Sequence, residues 1–184
     1  KRIQLYQQDA LKLKMQDAGQ YDAAFLCWFL EHVPDPLLVL KNVRKQLKPG
    51  ATIYCTEVFN QTLFFFFFSP TYLQYFLEFN DYQWEIKGHP FIGAQLGHLL
   101  SEAGFSDVHV ETRPLHFDSR NPEKRAAFIE FFNQILLSAA DTLVEKKRVS
   151  PELLKEMQRE VEKSKKAKDA VFYYSFIRAT GRVP

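Results

Sequence analysis

A chain of 184 residues, 46% hydrophobic and 25% charged, has the length and composition of one globular domain with a sizeable core. Its formal net charge of +2 argues neither for nucleic acid nor for an acidic partner. No stretch is long and charge-free enough to span a membrane, the opening residues do not read as a signal peptide, and the two cysteines, Cys27 and Cys55, fall in segments read as interior strands, which suits buried reduced thiols in the cytoplasm.

In chain order, residues 2–6 read as a strand, with Gln7-Gln8-Asp9-Ala10-Leu11 at its carboxyl end. Asp17-Ala18-Gly19-Gln20 is a turn by composition. Residues 21–28 are a short apolar, aromatic run, which predicts a second strand buried on both faces. The strand must stop at Glu31-His32-Val33-Pro34-Asp35-Pro36, where a helix can start with Asp35 as its cap and Pro36 in its first position. That helix is expected over 36–47, because Pro36, Leu40, Val43 and Leu47 share a face; Pro49-Gly50 should stop it. Residues 52–59 predict a third strand, and the helical crossover between the second and third implies parallel pairing. Ligands of open parallel sheets sit beyond the carboxyl ends of the strands, so Cys27 to His32 is the first place to look for a site.

Residues 60–90 are dense in aromatics. Five consecutive phenylalanines, Phe64 to Phe68, precede Tyr72, Tyr75, Phe76, Phe79, Tyr82 and Trp84. This segment reads as one or two short helices folded over the sheet end, closed by Gly88-His89-Pro90. A helix over 91–103 follows, with Gly104 just past its end, then a strand over 107–113. A long helix is expected over 122–147, another from Ser150-Pro151 to about residue 167, and a last strand over 170–179. Gly93 and Gly97 read as ordinary packing positions. The histidines at 32, 89, 98, 109 and 116 have no ligand-like spacing with cysteines or carboxylates, so no metal is expected.

Four pieces of this sequence resemble class I S-adenosylmethionine-dependent methyltransferases of the small-molecule, ubiquinone-biosynthesis-like (type 11) branch. Gln8-Asp9-Ala10-Leu11 after a strand resembles the adenine-binding loop, and Tyr21-Asp22-Ala23-Ala24-Phe25 through Leu30-Glu31-His32-Val33 resembles the fourth strand of that family. Leu40 to Gly50 resembles the next helix and turn, and Leu99-Leu100-Ser101-Glu102-Ala103-Gly104-Phe105 the helix and turn before the sixth strand. The resemblance implies an α/β fold: a Rossmann-like, mostly parallel sheet with an antiparallel last strand. One domain over 1–184 is expected, with an aromatic helical cap at 60–90 and a helical insertion at 118–168. The glycine-rich turn of the family and the acidic residue after its second strand have no counterpart here. The resemblance begins at the third strand of the family, so residues preceding Lys1 are expected in the natural protein.

The resemblance also implies roles. S-adenosyl-L-methionine would be the cofactor. Asp9 would accept from the adenine amino group, the backbone of Ala10 or Leu11 would meet a ring nitrogen, and Cys27 and Trp28 would lie against the sulfonium end. Glu31 and His32 would sit near the mouth of the site. His32 is the one candidate for a catalytic residue, with helix entry or packing as its other reading, and Asp9 has a plain turn as its alternative. Glu57 could face the substrate or be a solvated strand end. Tyr72, Tyr75, Tyr82, Trp84 and His89 are the lining candidates, each an apolar ring with a polar handle. The function implied is methyl transfer to a small apolar or aromatic acceptor; the alternative is an inactive methyltransferase-like binding or dimerisation module. The partner expected is a small-molecule substrate, without nucleic acid and without a membrane span; homodimerisation stays open.

Overall fold

The computed structural model of the chain describes residues 3–66 and 68–184. Lys1, Arg2 and Phe67 lie outside the described residues, and with them the start of the first expected strand and one member of the phenylalanine run. In chain order the elements are β1 (Tyr21–Cys27), α1 (Pro36–Gln46), β2 (Leu47–Glu57), β3 (Phe64–Phe66), α2 (Pro70–Glu85), α3 (Leu96–Glu102), β4 (Ser106–Phe117), α4 (Pro122–Leu137), α5 (Ala140–Glu145), α6 (Pro151–Lys166) and β5 (Val171–Arg182). Short 3-10 turns occur at Ala10–Lys12, Leu30–His32, Asn60–Thr62 and Ile92–Gln95. The chain forms two compact units. The first comprises Lys1–Val58, Phe91–Thr112 and Phe176–Pro184, and the second Phe59–Pro90 and Arg113–Ser175.

In the first unit β1 and β2 pair in parallel, from Ala23↔Thr52 to Cys27↔Thr56, and β2 pairs antiparallel with β5, from Thr52↔Arg182 to Glu57↔Ile177. The α/β class and the antiparallel last strand are therefore as the resemblance implied. Helix α1 starts where its sequence says: the Asp35 carboxylate accepts from the Leu38 N–H at 2.9 Å and Pro36 occupies the first turn. Pro49-Gly50 sits inside β2. The pairing jumps from Tyr21↔Leu47 to Ala23↔Thr52, so Lys48 to Ala51 form a bulge against β1, and Gly50 takes the left-handed φ of +79° that the bulge requires. Leu30, Leu40, Ile53, Cys55, Leu96 and Leu100 are fully buried and make the core of this unit. Each such side chain contributes about 1.5–3 kcal/mol by leaving water.

Three expectations fail in this unit. β1 is not buried on both faces: only Leu26 is buried in it, and Phe25 is 73% exposed. The strand pairs with β2 alone among the described residues. For the same reason Cys27 is an exposed thiol, and only Cys55 is the buried one expected. Residues 3–6 are not a strand; Ile3 and Leu5 stand in solvent without a ladder partner among the described residues, so their backbone is left to water.

In the second unit β3 pairs antiparallel with the first half of β5, with Phe65 opposite Phe172. The phenylalanine run is therefore partly strand rather than helix: Phe64 is exposed and Phe65 buried, the alternation of a pleated edge. The Phe65 ring meets Tyr72 edge-on at 4.5 Å and Phe172 at 5.4 Å. The one long helix expected over 122–147 is two helices. The Ser138 hydroxyl donates to the Ile135 carbonyl at 2.6 Å, and Ala139 leaves helical geometry, so α4 ends and α5 begins. Arg125 of α4 is buried. Its guanidinium donates to the carbonyls of Ala167 at 2.6 Å, Ala170 at 3.1 Å and Lys168 at 3.4 Å, just past the end of α6. No helix among the described residues is long and apolar enough to cross a membrane.

Candidate functional site

Beyond the carboxyl end of β1 the chain reverses sharply. Trp28 adopts a left-handed backbone, with φ of +50°, and its N–H still donates to the Thr56 carbonyl at 2.8 Å, the last bond of the parallel ladder. The short Leu30–His32 turn follows, anchored by the fully buried Leu30. Glu57, the last residue of β2, is fully buried beneath it. Its Oε1 accepts from the N–H groups of Phe29 at 3.1 Å and Leu30 at 2.9 Å, while Oε2 has no hydrogen-bond partner. Burial pushes this carboxyl up to about 7, against the pull of those N–H groups. Glu31 is buried beside it and lies 3.5 Å from the exposed His32 ring. Of the two readings of Glu57, full burial rules out the solvated strand end, and its carboxylate meets the backbone of the turn rather than an open site.

A second wall comes from residues 9–15. The Asp9 carboxylate accepts from the Leu11 N–H at 2.9 Å and so caps the Ala10–Lys12 turn. Two side chains of α1 fasten this segment: Asn42 donates to the carbonyls of Leu11 at 2.8 Å and Ala10 at 3.3 Å, and the Gln46 carbonyl oxygen accepts from Met15 N–H at 3.1 Å. Sequence reasoning missed Asn42 and Gln46. Both interrupt the polar face of an amphipathic helix only by being buried, which the letters do not show. Between this segment, β1 and α1 lies an open groove of about 570 Å³, lined by Ala10, Leu13, Met15, Cys27, Phe29 and Val43 among others. Its lining is almost wholly apolar, and its size lies within the range of small-molecule sites. The structure thus brings Ala10 and Cys27 to one groove, with Asp9 and Leu11 next to Ala10 in the chain and Trp28 next to Cys27.

The aromatic candidates belong to the second unit. Tyr72 lines a cavity of about 200 Å³ with Phe64, Phe65, Phe68, Leu73 and Phe76. Its buried hydroxyl has no partner, and burial pushes its pKa well above the usual tyrosine range. The Tyr75 hydroxyl donates to the Leu136 carbonyl at 2.8 Å, and burial, with Asp141 adding, pushes it up to about 12. Tyr82 carries the Lys146 ammonium 5.7 Å from its ring centre, and Trp84 packs on His89 at 4.3 Å.

Residues 1–110 match the family model described as a methyltransferase domain. The chain belongs to that family. It resembles the class I, S-adenosylmethionine-dependent, small-molecule members. Demethylmenaquinone methyltransferase of Staphylococcus saprophyticus is 34% identical over 123 residues, which are 60% of this chain and 52% of that protein. The Staphylococcus aureus protein of the same name is 31% identical over 122 residues, 60% of this chain and 50% of that one. The chain therefore spans about half the length of these relatives. Among solved structures, a Bacillus halodurans protein assigned to the methyltransferases superposes with a TM-score of 0.55 at 13% identity, covering all of this chain and 78% of that one. YcgJ of Bacillus subtilis gives 0.52 at 9% identity, covering 97% and 70%. At such identities the likeness concerns the fold, and it places this methyltransferase chain among Rossmann-like α/β structures.

Proposed function

We propose that this chain transfers a methyl group from S-adenosyl-L-methionine to a small apolar or aromatic acceptor. The observation that carries the reading is the groove beside β1 and α1, because it is built entirely from the stretch that the methyltransferase family model matches. Its apolar walls suit a purine face. Both backbone groups of Leu11 are committed within the chain, to Asp9 and Asn42, so the turn offers Ala10 rather than Leu11 to a ring nitrogen. Asp9 would mark the polar edge of the adenine, and Cys27 and Trp28 the sulfonium side. When bound, the cofactor supplies a preformed methyl electrophile. The residues of the chain would contribute alignment and exclusion of water; His32 would serve as a base only for an acceptor that arrives protonated.

An apolar acceptor is supported by the apolar lining of that same groove. It is supported also by the quinone that the staphylococcal relatives are named for. Near the turn, Glu57 is fully buried and holds the backbone of Phe29 and Leu30, which leaves Glu31 and His32 to meet an acceptor there. Both cysteines are free, which suits the reducing cytoplasm we propose as the location.

Calorimetry of the full chain with S-adenosylhomocysteine tests the reading. Binding is expected, and Cys27→Trp, which fills the groove from an exposed position, should abolish it while leaving the fold intact. Failure of the unaltered chain to bind would favour an inactive methyltransferase-like module. Methyl transfer from labelled donor to a panel of quinones and phenols, against charged acceptors, then tests the acceptor class.

A further inference from the structure

The backbone N–H groups of Phe29 and Leu30 stand where the parallel ladder has just ended. Trp28 makes its last bond and turns left-handed, so neither following N–H has a strand to donate to. A buried donor without a partner is costly, and here one side-chain oxygen, Glu57 Oε1, receives both. The neighbouring Gly93 closes the other side: a Cβ there would lie 2.7 Å from the Val58 carbonyl, so backbone packs directly on the end of β2.

We infer that Glu57 is the positioning residue for the turn from Trp28 to His32, and that its protonation sets how firmly that turn is held. It touches no reacting atom and acts through two backbone N–H groups. An ionised carboxylate is the stronger acceptor, so the turn tightens as Glu57 loses its proton. Burial brings that event to about pH 7. The titratable groups around it are few. The Glu31 carboxylate on the turn pushes the Glu57 carboxyl up while the Glu31 backbone N–H pulls it down, and His32 lies next to Glu31. Cys27 on β1 and Cys55 on β2 both feel the charge of Glu57, and Arg178 on β5 acts on Cys27 in the opposite sense. The packing segment Ile92–Gln95 carries no titratable side chain. If the turn meets the methyl donor, donor affinity inherits the same dependence; that consequence alone rests on the proposed function.

The test is an amide nitrogen–proton titration of the labelled full chain across about two pH units around neutrality. The Phe29 and Leu30 signals should move together with a midpoint near 7. They should stay flat in Glu57→Gln, which keeps an acceptor oxygen but cannot ionise. In parallel, affinity for S-adenosylhomocysteine should change several-fold over the same range in the unaltered chain and be independent of pH in Glu57→Gln. Amides that do not titrate, or that titrate unchanged in the variant, overturn the inference. Titrating amides with no S-adenosylhomocysteine binding at any pH would sink the methyl-transfer reading and leave the positioning role standing.

Discussion

The Glu57 carboxylate accepts from the Leu30 backbone nitrogen at 2.9 Å, and both residues are fully buried. A strand end and the turn after its neighbour are thereby joined through one acidic side chain. The stretch from Cys27 to His32 owes its shape to this bond as much as to its own residues. The energetic consequence runs against intuition. Ionised Glu57 grips the turn more tightly, yet the ionised state is the less stable one overall, because burial outweighs the N–H bonds.

Stability should therefore depend on pH with a definite sign. The Glu57 carboxyl titrates near 4.5 when unfolded and at about 7 when folded. Between these values the folded chain binds more protons than the unfolded one. The contribution of Glu57 is fully present below about 4.5 and is lost as pH rises through about 7. At about 1.36 kcal/mol per pH unit the whole swing is at most about 3 kcal/mol. Denaturant midpoints collected across this window should fall with pH in the unaltered chain more steeply than in Glu57→Gln. Parallel curves for the two proteins would contradict this.

Asn42 should matter to the segment 9–15 out of proportion to its size. Asn42→Ala removes both bonds to the Ala10 and Leu11 carbonyls, at a cost of about 1–2 kcal/mol. Hydrogen exchange should quicken over residues 10–15 and not over β2. Binding of S-adenosylhomocysteine, if the proposed site is right, should weaken with it. Uniform change across the first unit would instead mark a global loss.

Gly93→Ala should be costly although it adds one carbon. The new Cβ would stand 2.7 Å from the Val58 carbonyl and 3.1 Å from that of Glu57, and backbone cannot swing aside as a side chain can. A loss of about 1–3 kcal/mol is expected, read from the unfolding midpoint. Gly50→Ala makes a useful comparison, since nothing lies within 4 Å of its Cβ position and only its left-handed φ opposes the change. Its cost should be the smaller of the two.

Arg125→Leu should destabilise the second unit by about 2–4 kcal/mol, because three carbonyls lose a charged donor in a buried place. For a chain of this length that corresponds to a midpoint lowered by roughly 4–16 °C. Arg148→Leu should cost less, since the carboxylates it pairs with, Glu78 and Glu85, remain in reach of water. Calorimetric scans of the two variants side by side check the order.

The first unit was largely legible in the sequence because its signals are local. Asp35-Pro36 announced α1, and Gly104 announced the end of α3, where it has φ of +89°. The phenylalanine run was not legible. Five identical residues carry no period, and what makes Phe65 a strand residue is Phe172, far along the chain. Ser138 gives no warning in the sequence, because a helix-compatible residue breaks α4 only when its hydroxyl turns back on Ile135. Exposure of Cys27 and Phe25 depends on what covers β1, which no pattern within β1 records. At the site, Asp9, Ala10, Cys27 and Trp28 came from resemblance. The burial of Glu57 and Asn42, on which the turn and the groove wall depend, could be read only from their surroundings.

The grip of Arg125 on the carbonyls of Ala167 and Ala170 has a further consequence for this chain once it is cut. Lys147, exposed and left-handed, sits in the connection between α5 and α6, an inviting spot for trypsin. The guanidinium belongs to the fragment before such a nick, and the carbonyls to the fragment after it. So does the β3–β5 ladder divide between them. The two pieces should stay together on a sizing column and part only in denaturant, a broken chain behaving as a whole one.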